Sequence, residues 1–272
     1  MGIMGTIDWS SLGFFVGVAT FFGLAIYHVV AGYYHYRYYY LRHDEPETWK
    51  CQPKRFLTAK LHRISMMSGS ANLALGGVVT GILIYGIDQG LPTMLYYDVA
   101  DYGWFYTLVS IPVLFAVIDA AAYYVHRALH FKPLYARFHK FHHRFVATSP
   151  YVATALHPIE LLWLQAASLM WIFLVPLHPA VVSVVLVYIL IFNIIDHSGV
   201  RLVSSLPWQG PSAYHDDHHA HFHVNFGQHL MIWDRMHGTL RRQGRSYGNE
   251  VFGGRGTSES GNPTTDEQFF PY

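Results

Sequence analysis

Residues 119–143 read Asp119-Ala-Ala-Ala-Tyr123-Tyr-Val-His126-Arg-Ala-Leu-His130-Phe-Lys-Pro-Leu-Tyr-Ala-Arg-Phe-His139-Lys-Phe-His142-His143. An apolar run from Trp104 to Val125 leads directly into five histidines. A second set follows at His197 and His215-Asp-Asp-His218-His219, in a chain with 19 histidines altogether. Residues three and four apart share one face of a helix. His126/His130, His139/His142/His143 and His215/His218/His219 are therefore each expected to present a single edge of imidazoles. One such pair arises by chance on many helices, whereas two H-x-x-H-H triplets and an H-x-x-x-H pair together point to metal ligation.

The ligand types narrow the metal. A closed structural zinc site takes four ligands, often thiolates, and the one cysteine, Cys51, lies far from the clusters. Imidazole sites suit zinc, copper, iron or nickel. Eight or nine clustered histidines overfill one ion and fit two, each five- or six-coordinate with a position open, which favours redox-active iron.

The remainder of the chain supplies a membrane scaffold. With 272 residues, 52% apolar and 17% aromatic, it reads as one all-α integral membrane domain, 1–272. One cysteine excludes a disulfide framework. Ser11 to Tyr34 lacks a preceding basic region and is too long for a signal core, so it reads as a spanning helix. Met66 to Ile87 and Trp104 to Val125 are two more spans. Leu161 to Val175 and Ala180 to Ile195 are short, roughly 22 to 24 Å each, and predict a helical hairpin turning at Pro176-Leu177-His178-Pro179.

The 18 Lys and Arg fall in three stretches, Arg37 to Arg63, Arg127 to Arg144 and Arg201 to Arg255, with none from Asp88 to Gly103. Under the positive-inside rule those stretches are cytoplasmic. Three spans and a hairpin then put both histidine regions on the cytoplasmic face, as a helical cap holding a di-metal site. Net charge is +1 and nothing marks nucleic-acid binding. Tyr33 to Tyr40 reads as an interfacial aromatic belt, Pro46 to His62 as an interfacial linker or helix, and 244–272 as a loose tail.

Other residues are drawn to the site by position. Asp119, an acid within a span, is expected to accept a proton from a ligating imidazole. Asn193, one turn before His197, is placed to meet the metal directly or through water. His157 is open as ligand, supporting residue or pocket wall, and His223 can join the face of His219. His178 reads as structural, His28, His35, His43 and His62 as interfacial, and His229 and His237 show no partnering pattern.

The ordered motifs resemble the fatty acid hydroxylase and sterol desaturase superfamily over 119–242. They comprise H-x-x-x-H, H-x-x-H-H, His157-Pro158-Ile159-Glu160, Asp196-His197-Ser198-Gly199, and H-x-x-H-H followed by Asn225-Phe226-Gly and Trp233-Asp234-Arg235. The Leu156-His157-Pro158-Ile159 segment and the Asn-Phe-Gly-Gln to Trp-Asp-Arg ending are similar to sterol C-5 desaturase (lathosterol oxidase). The Asp-His-Ser-Gly and His-Asp-Asp-His-His elements equally resemble C-4 methylsterol oxidase and cholesterol 25-hydroxylase.

The resemblance implies a membrane-bound, non-haem di-iron oxidoreductase that uses O2 to desaturate or hydroxylate a lipid, most simply a sterol. Fatty-acyl, sphingoid or ether lipids are the alternatives. It implies His126, His130, His139, His142, His143, His197, His215, His218 and His219 as catalytic ligands of two Fe ions. It also implies electrons from NAD(P)H through a reductase and cytochrome b5, and residence in the endoplasmic reticulum of a eukaryote. A metal transporter would need ligands along the spans, where Asp119 is the one deep acid. An inactive scaffold would have lost ligands, and no cluster is broken.

Overall fold

A computed structural model describes residues 7–241 and the backbone of 245–246 and 257–258. Seven helices carry the architecture: α1 Trp9–Tyr34, α2 Ala59–Asp88, α3 Gly103–Leu129, α4 Pro158–Leu169, α5 Pro179–Asp196, α6 Ser212–His221 and α7 Ile232–His237. The expected tail, 244–272, lies outside the described residues except for one two-residue antiparallel pair, Arg245–Ser246 with Thr257–Ser258.

Each long helix begins where a side chain satisfies its first N–H groups. Asp8 accepts from Ser10 and Ser11 at the start of α1, and Thr58 accepts from Leu61 at the start of α2. α4 and α5 both start His-Pro. The proline fits the first helical position, and Nδ1 of His157 or His178 accepts the N–H two residues on, from Ile159 or Ala180, at 3.2 Å.

Four helical segments, Trp9–Tyr40, Ala59–Asp88, Gly103–Leu129 and Pro179–Asp196, are long and apolar enough to cross a membrane, which fits a multi-pass protein. The limits of the hairpin differ from the sequence expectation. Its second limb, α5, has 18 residues and is a fourth candidate span, whereas the first, Pro158–Phe173, is too short. Both limbs still meet at the histidine end, because α4 begins and α5 finishes there. At the opposite end, Met94 N–H donates to Ile172 O at 2.8 Å and Tyr96 N–H to Leu177 O at 3.1 Å, sealing the turn. Phe21, Trp104 and Phe105 stay exposed on the outer faces, as side chains turned to lipid do.

α1 and α2 lie in close contact along Gly77-Val-Val-Thr-Gly81. A Cβ on Gly81 would stand 2.4 Å from Val16 Cα, and one on Gly77 2.5 Å from Thr20 Cα. Small residues four apart let two membrane helices approach this closely. α3 and α5 join through Leu114, Ile118, Val181 and Val185. Asn72 of α2 donates Nδ2 to the carbonyls of Thr154 and Leu156, both at 2.9 Å, tying the loop before α4 to the bundle.

In the stretch 46–62, Pro46–Trp49 is a single helical turn and residues 59–62 open α2. Between them Lys50 bridges to Val200, with Cys51 N–H on Gly199 O at 2.9 Å. Of the two readings, linker or helix, residues 50–58 form a linker, strapped across the histidine end. Within the tyrosine run Tyr33, Tyr36 and Tyr40 are exposed, while Tyr39 Oη turns inward to the carbonyls of Thr148 and Ser198 at 2.9 and 2.8 Å.

Gly81→Leu is expected to cost about 1–3 kcal/mol by overpacking the α1–α2 contact. This would appear as a lower melting temperature of the detergent-solubilised protein. Gly13→Leu, where nothing lies within 4 Å, should leave it unchanged.

Candidate metal centre

The nine histidines converge where α3 and α5 end, α4 begins and α6 crosses. They do not form one edge per motif. His126, His130, His139, His143 and His218 make one group and His142, His197, His215 and His219 another, each with its ligand atoms within 4.8 Å of one another. Eight of the nine are buried and His126 is half-buried.

Local backbone explains the sorting. The His139 triplet does not lie on one α-helix. A π-helical turn, Tyr135–His139, is followed by a 3₁₀ turn, His142–Arg144, so His139 and His143 face one group and His142 the other. On α6 the three histidines do share a helix, but His218 lies about 60° round from His215 and about 100° from His219. That offset sends His218 to the first group and its neighbours to the second.

In the first group His143 Nε2 is 3.2, 3.0 and 3.1 Å from Nε2 of His130, His139 and His218, and the same atoms of His126 and His139 are 3.1 Å apart. In the second, His197 Nε2 is 3.3 Å from His142 Nε2 and 3.0 Å from His215 Nε2. Adjacent ligands on one ion at about 2.1 Å stand about 3.0–3.4 Å apart, so these spacings fit one ion per group.

The outer ring nitrogens set which atom faces inward. Nδ1 lies 2.7 Å from Phe226 O in His126, 3.3 Å from Ala155 O in His142, 2.8 Å from Asn193 O in His197 and 2.6 Å from Val224 O in His218. His139 Nδ1 donates to Glu160 Oε1 at 2.7 Å, both groups being buried. An Nδ1 that donates outward leaves the Nε2 lone pair for the centre. His219 has neither ring nitrogen paired among the described residues although both are buried, a position that a metal would satisfy.

Burial, reinforced by neighbouring imidazoles, holds His130, His142, His143, His215 and His219 well below the ordinary histidine range. Burial brings His197 down to about 4 and His218 to about 3. These seven imidazoles are therefore neutral at pH 7, the form that binds metal.

Loops around the centre hang on buried carboxylates. Asp234 accepts the N–H groups of Phe226 and Gly227 at 3.0 and 2.7 Å and the hydroxyls of Tyr214 and Thr239. Asp216 accepts from Thr148 Oγ1 at 2.6 Å and Gln52 Nε2 at 3.0 Å.

Four further sequence candidates fall outside both groups. Among the described residues Asp119 accepts no imidazole proton. Its carboxylate takes the N–H groups of His229 and Leu230, both at 3.2 Å, and Trp233 Nε1 at 2.8 Å, because the 229–233 loop folds over α3 there. His157 caps α4, with its ring against Phe138 at 5.2 Å, so its Nδ1 is already engaged. His223 follows the end of α6 and places its ring 6.3 Å from that of His130. Asn193 orients His197 through its backbone carbonyl and places its side chain on a cavity wall, Nδ2 3.5 Å from Ala153 O. Sequence reasoning missed Glu160 as the partner of His139, although the His-Pro-x-Glu segment contained it. It also missed His229, which no spacing marked.

The cavity meets His126, His139, His142, His197 and His215 on one side and is otherwise largely apolar, lined by Ile118, Leu156, Leu164 and Ile189 among others. An apolar pocket thus lies against clustered imidazoles that could hold metal, at the end of membrane-length helices.

Residues 111–239 match the model of the fatty acid hydroxylase family. The chain is 37% identical over 141 residues to the Delta(7)-sterol 5(6)-desaturase erg3B of Aspergillus fumigatus, covering 52% of this chain and 42% of that one. It is 33% identical over 178 residues to human lathosterol oxidase, covering 62% and 60%. To the Delta(7)-sterol 5(6)-desaturase of Leptosphaeria maculans it is 27% identical over 239 residues, covering 86% and 64%. The chain thus spans about two fifths to two thirds of these relatives' length. No solved structure matches it.

Two outcomes test the site. Glu160→Gln keeps the side-chain volume and removes the acceptor charge behind His139. It is expected to weaken metal binding 10- to 100-fold, measured by competition with a chelator of known affinity. The pH dependence follows from the depressed histidines. Below about pH 6.5 the unfolded chain takes up protons that the folded centre refuses. Stability is therefore intact above that pH and falls progressively toward pH 4, seen as a falling melting temperature of metal-stripped protein between pH 7.5 and 5.

Proposed function

We propose that this chain is an O2-dependent lipid oxidoreductase whose nine imidazoles hold two iron ions and whose substrate is a sterol, dehydrogenated in the manner of a C-5 sterol desaturase. The observation that carries the proposal is the pair of imidazole groups, five and four, meeting one apolar cavity. The names of the relatives support the substrate and the reaction.

Breaking an unactivated C–H bond is beyond side chains alone, and two irons would supply the oxidising power from O2. The chain supplies the rest. Its five carbonyl- and carboxylate-anchored histidines are preorganised to keep Nε2 inward. Ile118, Leu156, Leu164 and Ile189 exclude water and hold the lipid's apolar body beside the imidazoles. Asn193 reaches the same cavity and is suited to hold a water in the four-histidine group.

Whether hydrogen loss or hydroxyl return follows depends on placement of the reacting carbon, to which rates are very sensitive. Hydroxylation of a sterol, fatty-acyl, sphingoid or ether lipid is the second reading, favoured by the family match itself.

Exposed Lys132, Arg137, Lys140 and Arg144 surround the second motif. They suit an acidic electron donor such as cytochrome b5, served by its NAD(P)H-dependent reductase. Positive-inside placement of these bases sets the centre on the cytoplasmic side, in a eukaryote that of the endoplasmic reticulum.

Expression in a sterol-making host lacking its own C-5 desaturase is expected to yield sterols two hydrogens lighter in the B ring, by mass spectrometry of total lipids. The yield should vanish with His143→Ala or His215→Ala. In isolated membranes an iron chelator should abolish turnover and zinc should fail to restore it. A lipid heavier by one oxygen would make the chain a hydroxylase, and restoration by zinc would discard oxidation.

A further inference from the structure

The cavity beside the imidazoles contains a polar group that the metal centre leaves unused. His229 lines it and is 1% exposed. Its backbone N–H donates to Asp119 Oδ1 at 3.2 Å, and its ring Nδ1 donates to Asp196 Oδ2 at 3.2 Å. Asp196 is steadied in turn by Gln209 Nε2, 3.1 and 3.4 Å from its two oxygens. Phe115 and Tyr188 flank the ring with centroids at 5.8 and 6.0 Å. Orientation, tautomer and position are thus all fixed.

With Nδ1 committed to Asp196, Nε2 is the working end of the ring. It is buried and has no partner among the described residues. Buried polar atoms are rarely left so, and one that lines an apolar cavity points to a polar group on the molecule that enters. Its level in the bundle is set by Asp119, seven residues before His126 on α3, about 10 Å of helix rise away. The cavity wall includes the apolar side chains of Ile118, Ala122, Leu156, Leu164 and Ile189. Gln228 and Glu160 also line the cavity, but the amide Nε2 of Gln228 only donates and Glu160 stands behind His139 at the imidazole level, so His229 Nε2 is the acceptor prepared at the level of Asp119.

We infer that His229, aimed by Asp196, is the anchor for a hydroxyl group of the lipid substrate. Nε2 accepts the lipid O–H, and this bond selects which carbon rests against the metal centre. The inference rests on reading the site as one of lipid oxidation. It adds the polar feature the lipid must carry and the residue that recognises it. An imidazole nitrogen that carries no proton accepts a hydrogen bond, so a free alcohol satisfies it and a methyl ether of the same lipid does not. In a dry site that leaves the nitrogen unpaired, and discrimination of at least about tenfold is expected.

The test uses the full chain, iron-loaded and purified in detergent, with a radiolabelled 3-hydroxysterol and its 3-methyl ether as probes. Wild type is expected to bind the alcohol at least about tenfold more tightly than the ether. In His229→Phe the two probes should bind alike, with ether affinity and iron content unchanged. His229→Gln, whose side chain can still accept a hydrogen bond, should keep part of the preference and serves if the phenylalanine variant does not fold. Absence of a preference in wild type, or its persistence in folded His229→Phe, would overturn the inference. A variant that loses kcat while keeping the preference would also overturn it, making His229 a proton donor instead. Lipid analysis in the host separates the two readings. Oxidation without alcohol preference discards the anchor alone, and a His229-dependent preference without any oxidation discards the oxidase alone.

Discussion

Nine imidazoles share one buried space, with inward nitrogens about 3 Å apart, and the rest of the molecule serves that constraint. Lone pairs at such distances repel, and protonating them is opposed by burial and by one another. The arrangement becomes favourable when a cation sits among the nitrogens. It therefore places two demands on the fold: each ring must be neutral, and each must be kept from turning away. The carbonyls of Ala155, Asn193, Val224 and Phe226 and the carboxylate of Glu160 meet both for five rings at once, by engaging Nδ1.

Those anchors come from every part of the second half of the chain, which explains the shape of the bundle. α3 and α5 bring His126, His130 and His197 to one end, and α4 starts there so that Glu160 stands behind His139. Asn72 and Tyr39 reach from the first two helices to hold the carbonyl-rich loop 148–156. Asp119, Asp216 and Asp234 are buried not as ligands but as tethers for the loops that frame the centre. Beside it the largely apolar cavity lies between helices whose outer faces are themselves apolar.

Much of this was legible in the chain. The histidine spacings named eight members of the two groups, the resemblance added His197, and the apolar runs gave the long helices and the hairpin turn at Pro176 to Pro179. Legibility failed where a side chain had a local use that its type does not announce. His157 caps a helix because proline follows it, and Asp119 serves backbone N–H groups more than a hundred residues away. His229 has no neighbour at helical spacing, and its partners come from α3 and α5.

By itself the sequence determined that imidazoles would gather in motifs at the end of apolar helices, because ligand type and helical period are local properties. Only the tertiary structure decided how they divide. A π-helical turn before Lys140 and a 3₁₀ turn at His142 separate members of one motif, and the offset of His218 on α6 separates members of another. Each metal group is therefore assembled from residues of distant segments. That division depends on where helices end relative to one another, a matter of packing and loop tethering that no spacing within a motif encodes.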